Sequence, residues 1–379
     1  MIEDHAEMGL IDNPRVFYET IHPRQASGWI VVRRKLPGKR RTEARIPANQ
    51  MATLANSAVG LPDLSFSAAN FYGRPLLLNF AETRCLYAHI ATSDGSTSDF
   101  IYDTYSYLAS LGLPLPNTII QHPRSAVLLW VVDKPYRSQD IPKLALVQQT
   151  LRHLLIGFGA QQETNEITSL LPLPGTQAGL SGLFTTISAY KPEPVTRGRL
   201  ENAVLETVPA SSLEHMHFRG SVLTELQLLW HNRSLDMHME HKRHIDWLIF
   251  FGASLAMFCS PKQLRAELIA VAESLTGHYW KDIAADYKAL IDPISSTASE
   301  GLIEIDGHQL SVNYPGWEQM IAGRLEVSST ESRDLGLRVL TDATNGASFT
   351  NIHYLPQSPT VFGADTFVPL RRLLLRNAA

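Results

Sequence analysis

The alternation of apolar and polar positions divides the chain into two textures. In the first half, short apolar runs are separated by Gly/Pro/Asp/Asn turns. GWIVV (28–32), DLSFSAANFYG (63–73), CLYAHIA (85–91), NTIIQ (117–121) and AVLLWVV (126–132) read as strands. Between them, FIYDTYSYLASLGLPLP (100–116) places Ile101, Tyr105, Leu108 and Leu111 at helical spacing and stops at Gly-Leu-Pro. DIPKLALVQQTLRHLLIGFG (140–159) is an amphipathic helix closed by glycine. LLPLPGTQ (170–177) follows after a polar stretch. The order β-α-ββ-α-β predicts an α+β domain with a mixed or antiparallel sheet.

From about residue 211 the period lengthens. Residues 212–232, 244–258 and 260–275 read as successive helices, the last with Ser260 as N-cap and Pro261 in its first turn. DPISSTASEG (292–301) reads as a Ser-rich linker, and IDGHQL (305–310) as a hairpin with an Asp-Gly turn. A helix over YPGWEQMIAGRLEV (314–327) and another over SSTESRDLGLRVLTDA (328–343) follow. Ser328 and Glu331 form a capping-box pattern at the second start. Helix, short turn, capped helix is the outline of a helix-turn-helix, and equally of an ordinary packing hairpin. The expected organisation is three domains: 15–210 α+β, 211–295 helical, and 296–379 helix-turn-helix or winged-helix-like.

Composition narrows the function classes. The 379 residues are 44% apolar with a formal charge of −4, so no global basic excess advertises nucleic acid. Local clusters remain. Arg33, Arg34, Lys35, Lys39, Arg40 and Arg41 flank a Pro-Gly turn and read either as a solvated hairpin tip or as a phosphate-contacting loop. Cys85 and Cys259 stand far apart in apolar surroundings, which predicts reduced core thiols in a cytoplasmic protein. No apolar run is long enough for a membrane span, and no membrane partner is expected. Walker, G-x-G-x-x-G and G-x-S-x-G patterns are absent. His238, His241 and His244 recur at intervals of three, compatible with a metal pair, a basic patch or a polar helix surface. Arg371, Arg372 and Arg376 near the end read as surface residues of a docked terminal element.

GLPDLSFSAANFYGRP, CLYAHIA, LGLPLPNTIIQHPRSAVLLWVVDKPY, a helix and then LLPLPGTQ occur in an order that resembles the primase-like replication proteins of plasmids and integrative mobile elements. The resemblance covers roughly residues 60–190. It implies the archaeo-eukaryotic primase core, an RRM-like sheet carrying helices, and metal-dependent primer synthesis with Mg²⁺ or Mn²⁺ held by two carboxylates. At the positions where the family has an Asp-x-Asp pattern this chain has His89 and Ala91. Val127 stands where many primases have a histidine, though the preceding turn keeps Arg124. Pro172 replaces the arginine of the third motif. Alanine has no donor atom, and imidazole prefers softer cations than Mg²⁺.

The resemblance therefore implies a DNA-binding replication or maintenance protein with a degenerate catalytic site and no cofactor. Two alternatives stand beside it. One is an active primase with a shifted site built from Asp94, Glu166 and Asp99. The other is a non-enzymatic scaffold for replication or mobile-element proteins. The expected partner is DNA, either single-stranded or an origin-like duplex. It would be held by the basic loop and Arg124 in the first part, and by Ser329, Thr330, Arg333 and Arg338 in the helix-turn-helix. Stacking by Phe66, Phe71, Tyr72, Tyr87 and Trp130 on the sheet is the expected single-strand mode.

Overall fold

The computed structural model describes residues 14–341 except 36–37, 40, 92–96, 162–163, 180–181, 208–209, 234–240, 306–307 and 312–316. Arg40, Asp94, His238 and the three arginines beyond 370 thus lie outside the described residues. Two compact units divide between Pro209 and Ala210.

The first unit contains α1 (Pro14–Ile21), β1 (Trp29–Arg34), β2 (Thr42–Ile46), α2 (Met51–Ser57), β3 (Leu64–Phe71), β4 (Phe80–Ala91), α3 (Thr97–Ser110), β5 (Thr118–His122), β6 (Ser125–Arg137), α4 (Ile141–Leu154), β7 (Leu170–Pro172), β8 (Thr186–Tyr190) and α5 (Arg197–Leu205). The strands form one sheet in the order β2-β1-β3-β4-β6-β5-β8, with β7 added to β3. Every ladder in it is antiparallel. The unit is α+β. The sequence reading had not anticipated β2, β8, α1 or α2, whose runs are short and partly charged.

Strand periodicity explains the packing. Cys85 and Tyr87 point to one face with Val127, Leu129 and Ile120, and this face is covered by Phe17, Tyr18 and Leu54 from α1 and α2. The alternate residues Leu86, Ala88, Ile90, Leu128 and Trp130 are also buried, on the side where α3 and α4 pack. Burying each large apolar side chain contributes about 1.5–3 kcal/mol, so both faces are held shut. Two covered faces explain why CLYAHIA and AVLLWVV are nearly continuous in apolar residues. They also overturn the stacking expectation. Phe66, Phe71, Tyr87 and Trp130 are buried core residues, and Tyr72 is half-buried.

The second unit contains α6 (Ala210–Asn232), α7 (His241–Leu255), α8 (Pro261–Thr276), α9 (Trp280–Thr297), the hairpin β9 (Leu302–Ile305) and β10 (His308–Ser311), α10 (Trp317–Arg324) and α11 (Ser329–Leu335). Ser260 caps α8 by accepting from the Gln263 N–H at 3.3 Å. Trp230, Trp247 and Phe251 pack edge-on and stacked between α6 and α7. Residues 292–297 of the expected Ser-rich linker are instead the last turns of α9, which runs through Pro293. Buried Ile291 and Ile294 and the Ser295 hydroxyl, donating to the Ile291 carbonyl at 2.7 Å, hold those turns together. The expected helical and C-terminal parts share this one compact unit.

Candidate functional site

Strand register gathers one end of the sheet. β1 ends at Arg34 opposite Leu64, where β3 begins. β4 ends at Ala91 opposite Ser125, and Ser125 pairs with His122 on its other side. Gln121 faces Thr186 at the start of β8. The β1–β2 turn, Asp63, the exit of β4 and the Pro123–Arg124 turn therefore lie at the same end. A cavity of about 500 Å³ opens there, lined by Lys35, Asp63, His89, His122, Pro172 and Gln177 among others.

Parity puts the family's key positions on this side. His89, Val127 and Ile120 form one row across β4, β6 and β5, and Ala91, Ser125 and His122 the next. Of these two rows, Val127 and Ile120 are buried in the core, while His89 and His122 line the cavity. These donors do not suit a hard cation such as Mg²⁺. Among the described residues, no group of three or more His, Cys, Asp or Glu is placed to hold a metal ion. Glu166 does not line the cavity, and Asp99 sits exposed in the first turn of α3.

Side-chain amides, where a neighbouring strand would normally stand, position His89. At this end β3 leaves β4 and pairs with β7. The exposed edge of β4 is met by two side-chain amides. The His89 N–H donates to Asn165 Oδ1 at 2.6 Å, and Asn165 Nδ2 donates back to the His89 carbonyl at 2.9 Å. Gln148 does the same for Tyr87, accepting from its N–H at 3.1 Å and donating to its carbonyl. The Tyr87 hydroxyl donates to the Glu166 carbonyl. One residue further, the Ala91 N–H reaches the Gly159 carbonyl at 3.3 Å. Gly159 has φ +81, and a Cβ there would lie 2.9 Å from the Ala91 carbonyl oxygen. The strand end is thus fully hydrogen-bonded without a neighbouring strand.

Asp63 sits just before β3 at φ +53, a conformation that non-glycine residues rarely adopt. Its N–H donates to the Gln177 carbonyl at 3.0 Å, and its Oδ1 accepts from the Gly179 N–H at 2.8 Å. Burial pushes the His89 imidazole down to about 4, with the nearby His122 adding to the effect. His122 is also lowered, chiefly by burial, with Asp63 opposing and Arg124 reinforcing. Both rings are therefore neutral at neutral pH, and the positive charge around the cavity comes from Lys35 and Arg124.

The basic loop divides. Lys35 lines the cavity, and Lys39 and Arg41 are exposed. Arg33 is held by Glu43 across the β1–β2 pair at 2.8 Å. Arg34 is fully buried, so its expected phosphate contact is corrected: its strand parity turns it inward, where burial lowers its pKa against the pull of Asp63. Sequence reasoning missed Asp63 and His122. The i, i+2 spacing from Ile120 would have placed His122 on the cavity face. Nothing in the sequence marks the backbone of Asp63.

In the second unit, Ser329 is half-buried, and Thr330, Arg333 and Arg338 are exposed. The Ser328 hydroxyl caps α11 by accepting from the Glu331 N–H at 3.1 Å. The Glu331 carboxylate in turn accepts from the Ser328 backbone, as the expected box requires, and it does more than cap. Its carboxylate takes the Arg233 guanidinium at 2.6 and 2.8 Å, and Arg233 also donates to the Leu325 carbonyl. Arg324 pairs with Asp246 at 2.8 Å. The Glu225 carboxylate accepts from the N–H groups of Arg338, Val339 and Leu340 at 2.7–3.0 Å. His244 is buried, its Nδ1 2.7 Å from the Tyr287 hydroxyl, which corrects its reading as part of a surface histidine row.

No family model and no curated protein matches this chain. Among solved structures it is similar to the AEP domain of the primase-polymerase of cyanophage S-2L. That match is 15% identical, covers 48% of this chain and 90% of that one, and has a TM-score of 0.36. It is also similar to the primase RepB', at 10% identity, over 79% of this chain and 93% of that one, with a TM-score of 0.32. At these TM-scores the two matches add nothing to the argument about the site, which rests on its residues.

Proposed function

We propose that this chain is a nucleic-acid-binding replication or maintenance protein of a mobile element. In this reading its primase-like core grips a single strand at the cavity end of the sheet and has lost its two-carboxylate metal centre. One observation carries the reading: the register brings Lys35, Lys39, Arg41 and Arg124 to the end of the sheet where the cavity opens. Cations on exposed turns around an open cavity suit a phosphate backbone. The rows His89–Val127 and Ala91–Ser125–His122 supply neutral groups where the family's chemistry needs anionic ones. Thr330, Arg333 and Arg338 would give the second unit a separate, winged-helix-like contact with duplex.

The test is titration of a labelled single-stranded oligonucleotide across a range of salt concentrations. Affinity should fall with salt, with a slope of about −0.7 per phosphate contact. Salt-independent binding, or none at low salt, would overturn the reading and favour a scaffold that meets only proteins. Asp63 favours one rival. It is a carboxylate at the cavity in a costly backbone conformation, as at many active sites. In that rival Asp63 would act in primer synthesis, and Mg²⁺ or Mn²⁺ would be required. Labelled primer made by the native chain and lost in Asp63→Asn would establish it.

A further inference from the structure

The stacking surface expected on the sheet is buried, yet one exposed aromatic ring is carried by a hairpin that lines the cavity. Phe184 is 46% exposed, and its neighbour Leu183 is 57% exposed. Phe184 belongs to a small hairpin formed by residues 175–185. The Ala178 N–H donates to the Leu183 carbonyl at 2.9 Å, Thr185 N–H to Thr176 at 2.8 Å, and Gly175 N–H to Thr185 at 2.8 Å. Phe184 stands directly opposite Gln177 in an antiparallel bridge. Residues opposed in this way project to the same side. Gln177 lines the cavity, so Phe184 shares the side of the hairpin on which a cavity-lining residue projects.

The hairpin is also anchored to the strand entry that carries Asp63. Gln177 donates to the Leu61 carbonyl at 3.0 Å and accepts from the Asp63 N–H, while Gly179 donates to the Asp63 carboxylate. Gly179 and Gly182, at φ +61 and +72, allow the reversal between the two arms. An exposed phenyl ring on a backbone fixed in this way gains nothing for the fold. It presents an apolar plane on the hairpin whose Gln177 lines the same cavity as Lys35. A nucleotide in a single strand has the complementary parts: an anionic phosphate and a flat base. The remaining exposed aromatics of this unit do not meet the cavity. Trp29 is at the opposite end of β1, and Tyr102 is on α3.

We propose that Phe184 is a base-stacking residue, holding a nucleobase of the strand whose phosphates meet Lys35 and Arg124. This rests on the nucleic-acid reading given above. Its experiment compares a labelled oligothymidylate with an abasic deoxyribose-phosphate strand of the same length. Binding is measured for the native chain, Phe184→Ala, Phe184→Trp and the double variant Lys35→Ala/Arg124→Ala. Phe184→Ala should weaken oligothymidylate binding on the order of 10-fold and leave abasic binding unchanged, because stacking acts only on bases. Phe184→Trp should retain affinity, and its fluorescence should be quenched by the bases. The double variant should weaken both strands. If Phe184→Ala binds oligothymidylate like the native chain while the double variant does not, stacking is overturned and the nucleic-acid reading stands. If the native chain binds neither strand, both fall.

Discussion

The cavity end of the first unit and the α10–α11 region of the second both attracted attention through their basic residues, and they use them in opposite ways. At the cavity, Lys35, Lys39, Arg41 and Arg124 stand on turns at the end of the sheet, outside the ladders that hold the fold. In the second unit Arg333 and Arg338 stay exposed, but Arg233 and Arg324 are drawn into the structure. Arg233 binds Glu331 and the end of α10, Arg324 binds Asp246, and the Glu225 carboxylate collects three successive backbone N–H groups. The difference teaches that a cation's availability to a ligand depends on whether the fold supplies its counter-charge, which its spacing in the sequence does not reveal.

Removing a structural charge should have the largest effect. Glu225→Ala orphans the N–H groups of residues 338–340, each worth roughly 1–3 kcal/mol when buried. We expect a loss of about 4 kcal/mol in the second unit by denaturant unfolding. A loss below about 1 kcal/mol would show that water replaces the carboxylate and would erase the contrast between the units.

Acid should have the next largest effect, on the first unit. His89 has its pKa lowered to about 4 in the folded chain. Between about pH 6.5 and 4 the unfolded chain binds a proton that folded His89 refuses. Stability is therefore complete above pH 6.5 and falls as the pH drops toward 4, by up to about 3 kcal/mol. His89→Asn should make this fall shallower without removing it, because burial also lowers His22 of the same unit to about 4. An unchanged profile would mean that His89 is solvated in solution.

The smallest effects on stability belong to the cavity cations. Lys35→Ala, Lys39→Ala, Arg41→Ala and Arg124→Ala should each change unfolding by no more than about 0.5 kcal/mol. Each should nevertheless reduce the salt slope of single-strand binding by about 0.7. Arg233→Ala is the counter-case, expected to cost stability and leave that slope unchanged. If it changes the slope instead, the division between ligand-facing and structural charges is wrong.

Much of the fold was legible along the chain. CLYAHIA and AVLLWVV are the centres of β4 and β6, because a strand covered on both faces must be apolar almost throughout. Ser260 caps its helix as its position before Pro261 announces. β9 and β10 pair as antiparallel neighbours, Ile305 opposite His308, while the Asp-Gly pair between them lies outside the described residues. Other elements were hidden. β2 and α1 carry too few apolar residues to stand out, and α9 continues through a proline because its buried isoleucines outweigh the missing hydrogen bond. The site was half-legible: His89, Ala91, Pro172, Lys35 and Arg124 were identified, while Asp63, His122 and Phe184 were not.

The sequence by itself determined which residues alternate and where helices are capped, since these follow from local order and side-chain chemistry. Only the tertiary structure decided that Arg34 is buried and Lys35 faces the cavity, that Glu331 holds Arg233 as well as its own helix start, and that Phe184 lies on a hairpin at His122's end of the sheet. Each of those depends on partners far away along the chain, and their distances are set by strand register and helix packing rather than by any neighbouring residue.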